Sequence, residues 1–414
     1  MPAPLSNVRV LELGRVFAAP WAGQLLADLG AEVIKVEALD GDPMRQMGLG
    51  VVRDAEGRET SDRSVFVAVN RNKKSIAVDL AAEGGAELVR RLAASCDVFI
   101  ENYKVGDLAR RGLDYEAIRA VRPDVIYLSV TGYGQTGPYR ERPGMDNIVQ
   151  GLTGYMSMTG RPGDPPQASP VSIMDFSAGM HGALAVVAAL YARSSANAGG
   201  QHIDLALLDS GLALVGYKMV ATLLSGEEPP RGVRTRGYIP GGAFETADGW
   251  FQMTIGADSD WARFCRATER PDLAADPRFA DRWLRTDNQE ALLADVEAMF
   301  RTRPRAHWLK VLNEAGLMAG AVLTLTEAAE DPQVRARDSV LSIRHALGGE
   351  LPVVRNPIRM TGTPLCEPQS PPLLGQDADE VLGELLGLGP SEVEALRGKG
   401  VLGAAPARGA GETG

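Results

Sequence analysis

The sequence predicts a doubly wound α/β fold. Short, β-branched runs recur along the first third of the chain. Stretches with helical apolar spacing, about ten to fifteen residues long, lie between them, an alternation that produces a parallel sheet with helices on its faces. Glycines close the helical stretches, as at Gly30.

Taken in order, VRVLEL (8–13) is the first strand, WAGQLLADLG (21–30) a helix and EVIKVE (32–37) the second strand. SIAVDL (75–80), a helix over 83–94, DVFIEN (97–102), short helical pieces over 105–121 and DVIYLSV (124–130) complete a Rossmann-like, doubly wound set. Ligands of such sheets bind beyond the carboxyl ends of the strands. GYGQTG, after the last of these strands, matches GxGxxG at Gly132, Gly134 and Gly137. The dinucleotide fingerprint needs a helix to open at that point, and here PYRERPG follows, so this stretch reads as a loop.

Apolar helices are predicted over about 176–194 and 205–225, with QHIDLA between them as a short strand. From about 226 the texture becomes Gly- and Arg-rich, and ETADGWFQMTI reads as a hairpin around Asp248-Gly249. Amphipathic helices at about 259–267, 288–301 and 304–315 indicate a smaller α+β domain over 226–325. GAVLTL, SVLSIRH and LPVVRNP are read as further strands, and the tail over 401–414 is expected to be disordered.

Composition narrows the function. The chain has 414 residues, 45% of them hydrophobic, and a net charge of −10. That charge disfavours nucleic acid and acidic membranes as partners. No charge-free apolar run of about 18 residues predicts a membrane span, and the N-terminal MPAPLSNVRVLEL does not read as a secretory signal. Cys96, Cys265 and Cys366 are far apart with no CxxC, which predicts a reducing, cytoplasmic setting and no structural zinc.

HExxH, GxSxG and the P-loop are all missing, and His181, His202, His307 and His345 form no ligand-spaced pair. Attention falls on Asp175, in VSIMDFSAGMHGALAVVAALYAR. It is read either as the N-cap of a helix, accepting from the amides of Ser177 or Ala178, or as a carboxylate nucleophile. The helix that follows is rich in Gly and Ala, so it is expected to be buried and closely approached. His181 lies too far round the helix to relay to Asp175. Lys35, Lys73, Lys74, Lys104 and Arg110 are candidate cations for an anionic ligand, and Asn102 ends a strand where such a ligand would lie.

GRVFAAPWAGQLLADLGAEVIKVE, NRNKKSIAVDL, DVFIENY, GYGQTGPYRERPGMDNIVQGLTGYMSMTG, VSIMDFSAGMHGALAVVAALYAR and PPLLGQDADEVL together resemble the class III CoA-transferases, the family of formyl-CoA transferase and carnitine CoA-transferase. The resemblance runs from about residue 5 to about residue 385. It implies a ring-like monomer whose large CoA-binding domain uses both chain ends (1–225 and 326–400), and an interlocked homodimer. It implies that Asp175 is the nucleophile, that acyl-CoA and small carboxylic acids are the substrates, and that no cofactor is permanently bound. The CoA positions it implies are Val16, Ala18, Asp79, Leu80, Asn102, Tyr103, Lys104, Arg110 and Asp146. Phe17, Gly241 and Gly242 would line or cover the acyl pocket, the two glycines as a mobile lid.

Formyl-CoA transferase has Arg, Lys and Gln where this chain has Ala38, Ala81 and Phe17, and a longer glycine loop where this one has Pro240-Gly241-Gly242. These departures point away from formyl and oxalyl groups, toward a short dicarboxylate such as succinate or a larger acyl group. Two other readings stand beside transfer. A 2-methylacyl-CoA racemase would need a base where Met145 precedes Asp146, and methionine takes no proton. A non-catalytic CoA-binding protein would leave Asp175 without a reaction.

Overall fold

The computed structural model describes residues 2–232 and 237–404. The chain divides into two compact units, one of Met1–Met158, Pro166–Pro229 and Asp338–Gly414, the other of Thr159–Pro165 and Pro230–Arg337.

The first unit opens with β1 (Arg9–Glu12), α1 (Ala18–Asp28) and β2 (Glu32–Glu37). A hairpin, β3 (Val51–Arg53) and β4 (Glu59–Arg63), leads into α2 (Ser64–Asn70) and β5 (Lys73–Ala77). Then follow α3 (Gly85–Ala93), β6 (Val98–Glu101), α4 (Tyr115–Val121) and β7 (Ile126–Thr131). After them come α5 (Asp146–Leu152), α6 (Tyr155–Met158), α7 (Ile173–Ser195), β8 (Gln201–Ala206), α8 (Leu207–Leu214) and α9 (Gly216–Ser225).

Six strands form one sheet in the order β5-β2-β1-β6-β7-β8, every neighbouring pair parallel. Both of its faces are covered, which explains the nearly unbroken apolar runs in the strands. Val10, Val33, Val98 and Ile126 pack toward α1 and α7 on one face. Leu11, Ile34, Phe99 and Tyr127, their neighbours in sequence, pack toward α3 and α4 on the other.

Several boundaries differ from the sequence reading. The strand expected over 75–80 is Lys73–Ala77, since the chain turns away at Val78 and Asp79. The helix expected over 205–225 is two helices, bent by 68° at Val215. GYGQTG is a loop, as expected, and the next helix opens only at Asp146. Among the described helices α7 is long and apolar enough to cross a membrane, as is the bent α8–α9 pair taken together. Half of the α7 stretch is buried, and Met174, Ala178, Val186 and Leu190 belong to the core beneath the sheet.

The second unit holds the antiparallel sheet β11-β10-β9. The hairpin of β9 (Gly241–Glu245) and β10 (Trp250–Thr254) turns at Asp248-Gly249 as the sequence predicts. Helices α10 (Asp258–Ala267), α11 (Pro271–Ala275), α12 (Arg282–Asp287), α13 (Gln289–Phe300) and α14 (Arg305–Glu314) surround an aromatic core of Phe244, Phe251, Phe264, Phe300, Trp261 and Trp308. GAVLTL contributes only its first residues to β11 (Met318–Ala321), which pairs with β10. Short helices α15 (Leu325–Glu330) and α16 (Pro332–Ala336) close this unit.

Back in the first unit, β12 (Val340–Arg344) and β13 (Glu350–Val354) make a separate hairpin whose Leu351 and Val353 pack on Val52 and Val67. Helix α17 (Ala378–Leu386) joins the α3 face of the large sheet, and α18 (Pro390–Gly398) follows. The first residues of the stretch expected to be disordered, 401–404, are instead described as part of the fold. Val401 and Leu402 are buried, and Leu402 bridges to Val78. Residues 405–414 lie outside the described residues.

Candidate active site

The N-cap reading of Asp175 does not hold. Helix α7 begins at Ile173 with Ser172 as its flanking residue, so Asp175 sits inside the first turn. The job of a cap is done from another helix. Asp146, the first residue of α5, accepts the backbone N–H groups of Met174 at 2.7 Å and Asp175 at 3.1 Å through Oδ2. Its Oδ1 accepts from Nε2 of Gln150, one turn further along α5. Gln150 is buried, and its Oε1 accepts from the Ser169 amide in the loop that leads to α7.

The Asp175 carboxylate therefore stands at a helix N-terminus whose nearest donors are already engaged. Among the described residues it makes no hydrogen bond and no ion pair. Burial pushes its pKa up to about 7, and the charge of Asp146 adds to the rise. The result is a half-buried, basic carboxylate with unshared lone pairs, the state a carboxylate nucleophile requires.

The residue after Asp175 joins an aromatic cluster. The ring of Phe176 meets Phe17 edge-on with centroids 4.9 Å apart, and Trp21 at 5.1 Å. Helix α1 reaches this close because α7 carries Gly179, where a Cβ would lie 2.6 Å from Cδ1 of Trp21 and 2.7 Å from the Ala18 carbonyl oxygen. Sequence reasoning named Phe17 but missed Trp21 and Phe176. Their signal was available as two aromatics in WAGQLLADLG and in the residue after Asp175.

The remaining expected residues collect at the carboxyl ends of β1, β5 and β6, where a doubly wound sheet places its ligands. Val16 and Ala18 follow β1, Asp79 and Leu80 follow β5, and Asn102, Tyr103 and Lys104 follow β6. Val16 has φ 68, a left-handed conformation that a β-branched side chain strongly disfavours. The neighbouring loops hold it there. Asn102 accepts from the Arg15 amide at 2.9 Å and donates to the Arg15 carbonyl at 2.7 Å. Asp42 accepts from the Val16 amide, and the Arg15 guanidinium lies over the Tyr103 ring. Both ends of the Asn102 amide thus shape the first loop. Arg15 was not singled out from the sequence. Lys104 is exposed, and Arg110 is exposed but paired with Asp107.

Two of the candidate cations are internal and a third is held in surface ion pairs. Lys35 and Lys73 are buried on either side of Glu12, at 3.2 and 2.7 Å, and Lys35 also meets Asp42. Burial opposes the Lys35 charge, but Glu12, Asp42 and Glu37 outweigh it and hold its pKa above the usual value. Burial lowers that of Lys73 to about 8 against the pull of Glu12. Lys74 pairs with Glu32 and Glu380. None of the three is free for an anionic ligand. Gly241 and Gly242 are not a free lid either. They are buried at the start of β9, paired with Thr254 and Met253.

Comparison with known proteins shows the family of the chain. The family model described as CoA-transferase family III matches residues 5–378. The chain is 39% identical to succinate–glutarate CoA-transferase of Agrobacterium fabrum over 92% of this chain and 96% of that one. It is 37% identical to succinyl-CoA–D-citramalate CoA-transferase of Chloroflexus aurantiacus over 97% and 98%. A crystal structure of a CaiB/BaiF family protein from Brucella suis superposes with a TM-score of 0.85 at 38% identity, covering 93% of this chain and all of that one. The chain belongs to CoA-transferase family III, and its reaction is CoA transfer between an acyl-CoA and a carboxylic acid.

Proposed function

We propose that this family III CoA-transferase moves CoA between short dicarboxylic acids, with succinyl-CoA as a donor, through covalent intermediates on Asp175. The observation that carries the reading is the Asp175 carboxylate itself, left without a hydrogen-bond partner among the described residues and with its pKa pushed up to about 7. The names of the relatives, succinate–glutarate and succinyl-CoA–D-citramalate CoA-transferase, support the substrate class.

In the first step an Asp175 oxygen attacks the thioester carbonyl, the C–S bond breaks, and CoA leaves as the thiolate. The thiolate then attacks the aspartyl carbonyl of the mixed anhydride, the anhydride C–O bond breaks, and the donor acid departs as its carboxylate. Asp175 now carries CoA as a thioester. The acceptor carboxylate attacks that thioester to form a second anhydride and free the thiolate. Attack of the thiolate on the acceptor carbonyl gives the new acyl-CoA and restores Asp175. No proton is gained or lost across the cycle, and the thioester bond energy is retained. A carboxylate in a poorly solvating site loses an unfavourable charge on acylation, which lowers the barrier to the first step.

CoA lies along the loops after β1, β5 and β6 in this reading. Val16, Ala18, Asp79, Leu80 and Tyr103 contact it, and Lys104 and Arg110 serve its phosphates. Asn102 shapes the first loop. Phe17, with Phe176 and Trp21, bounds the acyl group. The working assembly is an interlocked homodimer. The apolar surface on the first unit supports this, with Tyr217 74%, Leu223 76% and Leu224 84% exposed on α9, and Leu184 and Tyr191 exposed on α7. A cytoplasmic setting is supported by the three free cysteines, two of them buried.

The test is CoA transfer from succinyl-CoA to glutarate, followed by chromatography of the CoA esters. Wild type forms glutaryl-CoA, and Asp175→Ala loses transfer by at least about a thousandfold while still binding CoA. Transfer by the alanine variant at a comparable rate overturns the mechanism. Solvent deuterium entering an acyl-CoA with no acceptor acid present would point to racemase chemistry.

A further inference from the structure

Resting on the reading of Asp175 as nucleophile, we propose that Asp146 is its positioning residue: with Gln150 it takes up the first-turn amides of α7 and so keeps the Asp175 carboxylate unbonded for attack. The resemblance places Asp146 beside CoA, whereas the geometry points it at the helix that carries the reacting group.

A helix leaves its first N–H groups without intrahelical partners, and an acidic side chain in the first turn is drawn to them. A carboxylate so engaged is a weaker nucleophile, because its lone pairs are shared and its charge is stabilised. Here Oδ2 of Asp146 accepts the amides of both Met174 and Asp175. Asp175 therefore occupies a capping region without acting as the cap.

Asp146 is itself held from two sides. Gln150 donates to its Oδ1 and accepts from Ser169, tying α5 to the segment that enters α7. The loop before α5 is fixed by GYGQTG. A Cβ on Gly132 would lie 2.6 Å from Cα of Gly144, so two backbones cross where no side chain fits. The glycine motif thus serves the approach of one loop to another, two residues ahead of Asp146. A continuous set of contacts runs from that crossing through Asp146 to Asp175.

The experiment measures acylation of Asp175 in the full-length protein. Succinyl-CoA is added, the reaction is quenched at short times, the acyl-enzyme is trapped with hydroxylamine, and the Asp175 peptide is quantified by mass. Asp146→Asn is nearly isosteric but presents an NH₂ to the Gln150 amide. It is expected to acylate at least about tenfold more slowly, with KM for succinyl-CoA within about twofold and an unchanged melting temperature. Adding Gln150→Glu supplies an acceptor for that NH₂, and the double variant is expected to recover most of the rate.

Undiminished acylation in Asp146→Asn overturns the proposal, as does a loss confined to KM, which would make Asp146 a CoA contact. A double variant no faster than the single one also counts against it. If wild type itself is not labelled at Asp175, the nucleophile reading and this proposal fall together. If wild type is labelled and the variants match it, only the role of Asp146 is lost.

Discussion

Asp175→Asn should stabilise the fold at alkaline pH while removing activity. Burial, aided by Asp146, raises the Asp175 pKa from 3.8 to about 7. A raised carboxyl pKa means that the folded state holds the proton more tightly than the unfolded one. Stability contributed by the protonated form is fully present below about pH 4. It is lost as pH rises through the interval to about 7, and none of it remains above that. At about 1.4 kcal/mol per unit, the rise of about three units has a ceiling of about 4 kcal/mol. The carboxylate is only half-buried and water reaches it, which brings the expected difference down to about 1–2 kcal/mol.

Asparagine cannot ionise, so it avoids this loss. Thermal unfolding of wild type and Asp175→Asn, at matched protein concentration from pH 4 to 9, should show near-equal stability at the acid end. Toward pH 8 the variant should hold a growing advantage. A cap behaves in the opposite way, since its removal costs stability at neutral pH. A less stable Asp175→Asn above pH 7, or a difference that ignores pH, refutes the reasoning.

Two further substitutions test the framework around the site. Gly179→Ala forces a methyl to 2.6 Å from Trp21 and should destabilise by about 1–3 kcal/mol, whereas Gly182→Ala, whose nearest contact is a Leu128 methyl at 3.0 Å, should cost less; melting temperatures decide. Asn102→Ala removes both bonds that hold the Arg15 backbone beside the strained Val16, and should weaken CoA binding and cost about 1 kcal/mol, with unchanged CoA affinity by calorimetry as the contrary result.

The sheet was legible because its strands are buried on both faces. EVIKVE coincides with β2, and the runs that gave β1, β6 and β7 overlap the observed strands within a few residues. The pairing of Lys35 with Glu12 also had a trace in the sequence. Both lie in the first two strands, and they stand opposite each other in the parallel register. A lysine in an apolar strand, next to a strand carrying a glutamate, is better read as an internal ion pair than as a ligand for anions. The start of α7 was misplaced for a different reason. Its cap comes from Asp146, at a sequence separation of 29 from Asp175, and local spacing carries no record of such a tertiary bond. The hairpin β3–β4 lay outside the alternation that revealed the large sheet, whereas the strands of the hairpin β12–β13 were read from SVLSIRH and LPVVRNP. Both hairpins pair locally and pack on one another through Val52, Leu351 and Val353.

The most direct test of the central claim is to find where the acyl group goes. Protein incubated with succinyl-CoA, trapped with hydroxylamine or borohydride, digested and analysed by mass spectrometry should carry its modification on the peptide holding Asp175. It should carry none when the acyl-CoA is omitted. An unmodified Asp175 in protein that binds CoA and transfers it to glutarate, or a modification on another residue, would contradict the account.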